Sequence, residues 1–170
     1  HGVERKESTV ERFLKRFYKI KARSGTGYIS GFLLPESKCQ LDSDTKKYIS
    51  NNCDEKTEEL FASTILRQRM YLSLDFEDLI YFTLYILQNF PDVKAKWQRK
   101  MNYVLVDEVQ DCNANDWEIY ETLSGMHGNL FLVGDPDQTI YEWRGAYLEK
   151  FVNWQPTTDV IMAQNYRSTA

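Results

Sequence analysis

Two adjacent carboxylates, Asp107 and Glu108, end the apolar run of YVLVDEVQD (103–111), and a third, Asp111, stands three residues beyond them. An ionised acid at the end of a buried strand is costly to place unless a cation meets it, and two in a row sharpen that demand. One chemistry that uses such a pair is phosphoryl transfer: Asp107 holds Mg2+ through its water shell, while Glu108 orients and deprotonates the water that attacks a γ-phosphate. A plainer use is a helix start, with both acids sitting favourably on the dipole of the helix that follows. The pair alone leaves both open. Further on, GDPDQTIYEWRGA (134–146) gathers a strand-ending turn, further acids, an amide, two aromatics and an arginine within a short span.

The elements that must position these residues are legible in outline. After residue 100, the apolar runs Tyr103 to Val106, Leu130 to Val133 and Val160 to Met162 have the texture of buried parallel strands. Between the first two, Trp117, Tyr120 and Leu123 recur at helical spacing before Gly125, which makes strand, helix, strand: a βαβ unit. In such sheets ligands gather at the carboxyl ends of the strands, where Asp107, Glu108, Gly134, Asp135 and Asp137 fall.

Residues 1–100 are mostly helical in pattern. Ser8 to Glu11 has the form of a capping box, followed by Val10, Phe13, Leu14, Phe17 and Ile20 along a basic amphipathic helix to about Lys21. Ser24 to Gly27 breaks it, and 36–55 shows little periodicity, suiting loop or short helices. A further helix is predicted from Lys56 to about Leu72. Another, capped by Asp75 with Asp78, runs to about Gln88, and Pro91 separates it from KAKWQRK.

The net charge of −4 conceals an uneven distribution: residues 1–30 carry eight Lys/Arg against three Glu, and 101–170 carry three against eleven Asp/Glu. A basic end suits a polyanion such as nucleic acid and an acidic end a bound cation, although two solvated surfaces would look the same. Three scattered cysteines and two histidines argue against zinc and for a reduced, cytoplasmic setting. No apolar run approaches the roughly 20 residues of a membrane helix. The chain opens at His1 and stops after a charged motif, which suggests a piece of a longer protein.

The order LDFEDLI (74–80), VDEVQD (106–111), GDPDQTIYEWRGA (134–146) and QNYRST (164–169) resembles the UvrD/Rep family of superfamily 1 DNA helicases. The likeness covers nearly all of 74–170; the first 70 residues match only by position and helical character. It implies an α/β fold, an incomplete RecA-like P-loop NTPase core (101–170) preceded by a mostly helical insertion subdomain (1–100). It implies that Asp107 and Glu108 are the Mg2+-binding and water-activating acids of the Walker B motif, completed by Gln110 and Asp111. Gln138 looks like the family's sensor glutamine, reaching the γ-phosphate and reporting its loss to the DNA groove. Arg167 looks like the arginine that stabilises charge on the transferring phosphoryl. Tyr141 and Trp143 resemble aromatics lining a single-strand track, with Trp143 a platform for a base, and Arg144 would tie this loop to the acids or to DNA.

Each residue also has a bland use. Tyr141 and Trp143 alternate as on one strand face, Arg144 and Arg167 could form surface ion pairs, and Phe76, Leu79 and Ile80 suit helix core. Lys94, Lys96, Arg99 and Lys100 could equally touch phosphates or face water. Departures from the family pattern are small: Val109 where an aromatic is common, Thr139 where Ser is common, and Glu142 before the tryptophan. A phosphate loop needs Gly-Lys, and the chain contains no such dipeptide.

The expectation is therefore part of an ATP-dependent helicase, using ATP and Mg2+, acting on single-stranded and duplex DNA, and completed by missing parts of the same polypeptide. The chain alone would be inactive. Two alternatives stand beside it, a nonhydrolytic DNA-binding or scaffolding subunit and the motor part of a helicase-nuclease.

Overall fold

The computed structural model describes residues 9–29, 41–139 and 145–164. Helix α1, Thr9–Ser24, buries Phe17 and Ile20, and Gly25 ends it with a positive φ of 54° that a side chain would resist. Helix α2, Ser43–Asn52, occupies part of the stretch expected to lack periodicity. It exists because Asp42 caps it, accepting the Asp44 and Thr45 N–H groups at 3.1 and 2.9 Å, and because Ile49 is fully buried. Helix α3, Glu55–Met70, is capped by Asp54, which accepts the Thr57 N–H at 2.7 Å.

Helix α4, Phe76–Asn89, starts with the reciprocal capping box foreseen at Asp75 and Asp78, each side chain accepting the other's N–H at 2.9 Å. Pro91 begins α5, Pro91–Lys100, where its missing N–H costs nothing. The expected core residues Phe76 and Leu79 are instead exposed, at 90% and 51%; α4 turns Tyr81, Leu84 and Leu87 inward. Of the basic run, Lys96, Arg99 and Lys100 lie on the surface.

Strands β1, Val104–Val106, and β2, Leu130–Leu132, pair in parallel with Leu105 opposite Phe131. Helix α6, Ala114–Ser124, connects them, completing the βαβ unit. One sheet face packs Val106 against Trp117 with Val104, Leu130 and Leu132, while Leu105 and Phe131 remain exposed on the other. A short helix α7, Leu148–Val152, follows. Lys150 fastens it to α6 through Glu121 at 2.7 Å and lies 5.1 Å from the Trp117 ring centroid.

Val160 to Met162 is not a buried strand. It has no strand hydrogen bonds and is 74–84% exposed, because a three-residue apolar run becomes a strand only beside a pairing edge, and none meets it among the described residues.

Among the described residues three apolar clusters hold these pieces. One joins α1, α2, α3 and α4 around Phe17, Ile20, Ile49, Phe61, Ile65 and Tyr81. A second packs Leu84 and Leu87 of α4 on Ile119 of α6, and a third sits beneath the sheet at Val106, Val109 and Trp117. Through the second, α4 braces the helix that follows the acid pair. No helix among the described residues is long and apolar enough to cross a membrane.

Candidate functional site

Asp107 and Glu108 follow β1 directly and are both exposed. Glu108 is left-handed, with φ 52° and ψ 41°, an unusual conformation for a residue with a side chain. Its N–H donates to Asp107 Oδ1 at 2.9 Å. The turn at Glu108 directs the chain into a short 3-10 helix, Val109–Asp111, and the Val109 N–H donates to Val133 O at 3.0 Å.

The helix-start use of the acids is not what the fold adopts. Helix α6 is capped by Asn113, which accepts the Asn115 and Asp116 N–H groups at 2.8 and 3.2 Å, and Asp116 returns the bond to the Asn113 N–H at 3.0 Å. The acid pair lies before this cap and takes no part in it.

Gln110 is 2% exposed and turned back toward the acids. Its Nε2 donates to Glu108 Oε2 at 2.7 Å, and its Oε1 accepts the Asp135 N–H at 3.1 Å. Gly134 permits that approach: a Cβ there would lie 2.5 Å from Gln110 Oε1 and 2.8 Å from Val109 Cγ1. Asp135 caps the 3-10 turn Pro136–Gln138, accepting the Asp137 N–H at 3.0 Å and the Gln138 Nε2 donor at 2.6 Å. Asp107, Glu108, Gln110, Asp135 and Gln138 thus stand together at the carboxyl edge of the parallel pair. Asp111 Oδ1 is buried and has no hydrogen-bond partner among the described residues.

The donor set suits a hard cation in one respect: it offers carboxylate oxygens and no sulfur or imidazole. No three His, Cys, Asp or Glu side chains converge on one point among the described residues. A protein contribution of one or two carboxylates, with water and phosphate oxygens completing the shell, is how Mg2+ is usually held. Burial pushes the nearby Cys112 thiol up, only partly opposed by its contact with Tyr120 Oη. Tyr141, Trp143, Arg144 and Arg167 lie outside the described residues.

One cluster escaped the sequence reading. Lys21 is fully buried and donates from Nζ to Asp75 Oδ2 and Asp78 Oδ1, both at 2.6 Å; the Tyr28 hydroxyl also donates to Asp78 Oδ1 at 2.6 Å, and Gln68 Nε2 to Asp78 Oδ2 at 3.0 Å. Burial works against the Asp78 charge, but the Lys21 and Tyr28 hydrogen bonds outweigh it and hold the carboxyl below its usual range. The available signal was a lysine four residues after Phe17, on the apolar face of α1.

A parallel βαβ unit with acids at its carboxyl ends, joined to a mainly helical segment, is an incomplete RecA-like α/β helicase fold. The chain belongs to the UvrD/REP helicase N-terminal domain family, whose model matches residues 6–159. It is 38% identical over 155 residues to the ATP-dependent DNA helicase PcrA of Bacillus subtilis strain 168, covering 89% of this chain and 21% of that protein. It is 38% identical over 130 residues to the PcrA helicase of Leuconostoc citreum, covering 74% and 17%. It is 43% identical over 100 residues to the ATP-dependent DNA helicase Rep of Escherichia coli K12, covering 56% and 15%. The chain therefore spans about a fifth or less of the length of these relatives. The resemblance carried by the motifs is borne out at the level of the family.

Proposed function

We propose that this chain contributes the hydrolytic acids of an ATP-dependent DNA helicase that couples ATP hydrolysis to movement along single-stranded DNA and to duplex unwinding. The observation that carries it is the exposed pair Asp107 and Glu108 at the end of β1, with Glu108 anchored by buried Gln110. Asp107, with Glu108 beside it, would hold Mg2+. Bound Mg2+ and ATP supply the phosphoryl group and neutralise charge on it. Glu108 orients a water and takes its proton; Gln138 offers its amide to the γ-phosphate; Arg167 offsets developing negative charge.

Tyr141 and Trp143 provide stacking faces for single-stranded DNA, and Arg144 joins their loop to the acids or to the backbone phosphates. Residues 1–100 serve as the helical insertion and 101–170 as the later part of the first RecA-like domain. The relatives' names, ATP-dependent DNA helicase, support the reading, as does the matched order of motifs. A cytoplasmic location accords with it. The phosphate-binding lysine belongs to another part of the full-length protein.

The test is Glu108→Gln in that full-length protein. Loss of the base should lower kcat by about 100-fold or more with single-stranded DNA binding unchanged. Equal loss of both in a folded variant would remove Glu108 from the role.

A further inference from the structure

We propose that Gln110 is a positioning residue that fixes Glu108 and couples it, through the Asp135 backbone, to the turn carrying Gln138; this rests on the reading of Glu108 as base. The hydrogen bonds form an unbroken series. Gln138 Nε2 donates to Asp135 Oδ2 at 2.6 Å, the Asp135 N–H donates to Gln110 Oε1 at 3.1 Å, and Gln110 Nε2 donates to Glu108 Oε2 at 2.7 Å.

The neighbours determine the amide's orientation. Turned over, Gln110 would set its oxygen against a carboxylate and its NH2 against an N–H, so only one rotamer satisfies both. Gln110 is also the one buried member of the series, at 2% exposure, whereas Glu108 and Gln138 are exposed. An exposed glutamate has several rotamers available, and packing does not select among them. A charge-assisted hydrogen bond from a buried, doubly tethered amide does.

The glycine at 134 is part of the same device. The 2.5 Å separation between a Cβ there and Gln110 Oε1 means that any side chain at 134 must displace the amide. Displacement of the 134–138 turn, whatever moves it, pulls on the oxygen of Gln110, and the nitrogen of the same rigid amide then shifts against Glu108. Information about the state of Gln138 can thereby reach the base without a change in the sheet.

The experiment uses the full-length protein carrying this chain, with ATP and a single-stranded oligonucleotide as probes. Gln110→Met keeps nearly the same volume and removes both hydrogen bonds; Gly134→Ala keeps Gln110 but displaces its amide. The expected result for each is a kcat about 10- to 100-fold lower, the worth of one hydrogen bond to a charged group, with the ATP KM and oligonucleotide affinity unchanged. The double variant should be no slower than the slower single one, because both break the same link.

A folded Gln110→Met enzyme with wild-type kcat overturns the proposal, as does a parallel loss of kcat and oligonucleotide binding, which marks a merely structural residue. Should that variant fail to fold, Gly134→Ala decides by the same criteria. Glu108→Gln is measured alongside: if it still hydrolyses ATP, the base assignment has failed and the coupling with it. If it is inactive while Gln110→Met is fully active, only the coupling has failed.

Discussion

Lys21→Met is expected to destabilise the chain by about 3–5 kcal/mol at neutral pH, the usual consequence of removing one partner from a buried ion pair. The side chains of Lys21 and Asp78 are 1% and 0% exposed, so water cannot replace the lost partner without opening the helical cluster. Asp75, at 22%, can turn toward solvent and recover part of its hydration. The ammonium also lies 4.7 Å from the Phe17 ring centroid and 5.3 Å from that of Tyr28, contacts that methionine replaces with dispersion. Against a typical stability of about 5–15 kcal/mol, such a loss is a large fraction of the whole.

The sign of the pH dependence follows from Asp78. Its folded carboxyl titrates below the usual range, so its contribution is fully present above the unfolded value of about 3.9 and is lost as pH falls through the lower folded value. Lys21→Met removes the ammonium hydrogen bond that favours the ionised form while burial remains. The gap between wild type and variant should therefore narrow as pH falls below about 4, where the wild-type contribution of Asp78 is lost. Urea titrations followed by far-UV circular dichroism measure both. Asp78→Asn on the variant should cost much less than on the wild type. A Lys21→Met effect under about 1 kcal/mol, a gap independent of pH, or strict additivity of the two substitutions would refute the reasoning.

Leu72, 90% exposed at the end of α3, has φ 48°; Leu72→Gly should raise the urea midpoint, by about 0.5–1 kcal/mol of stability, and a lower midpoint would show that the leucine itself is needed. The 170-residue chain by itself should release no phosphate from ATP above background, with or without single-stranded DNA, since no Gly-Lys is present for the phosphates. DNA-stimulated turnover by this chain would contradict the proposed division of the site.

The βαβ unit was legible because its signals are local: apolar runs of strand length, a helical period between them, and acids where the strands stop. The cap at Asp75 is equally local. Helix α2 was obscured because its apolar content is small, Tyr48 and Ile49 within a polar stretch, and its start depends on one aspartate. The misreading of Phe76 and Leu79 arose from rotational phase: an apolar helix has several candidate inward faces, and only its neighbours α1 and α6 select the one carrying Tyr81, Leu84 and Leu87. Val160 to Met162 failed for a related reason, since pairing is a property of the neighbour as much as of the run. The role of Gln110 was beyond sequence reasoning. Its two contacts are at positions 108 and 135, and the second becomes a neighbour only through the parallel pairing.

Among the described residues two other than glycine have positive φ, and comparing them shows what holds the acid pair. At Leu72 the left-handed turn closes a helix, with the Leu72 N–H on Arg69 O at 3.1 Å and the Ser73 N–H on Gln68 O at 2.9 Å, a task glycine performs without strain. At Glu108 glycine would be equally comfortable but would delete the carboxylate. The strain there is offset by what the turn makes possible: Val109 reaches Val133, Gln110 folds back beneath Glu108, and the ends of β1 and β2 are joined across the site. Because Asp107 and Glu108 are exposed, packing contributes little to their orientation. Their geometry is inherited from the backbone pairing of two three-residue strands, and the site is only as rigid as that pairing.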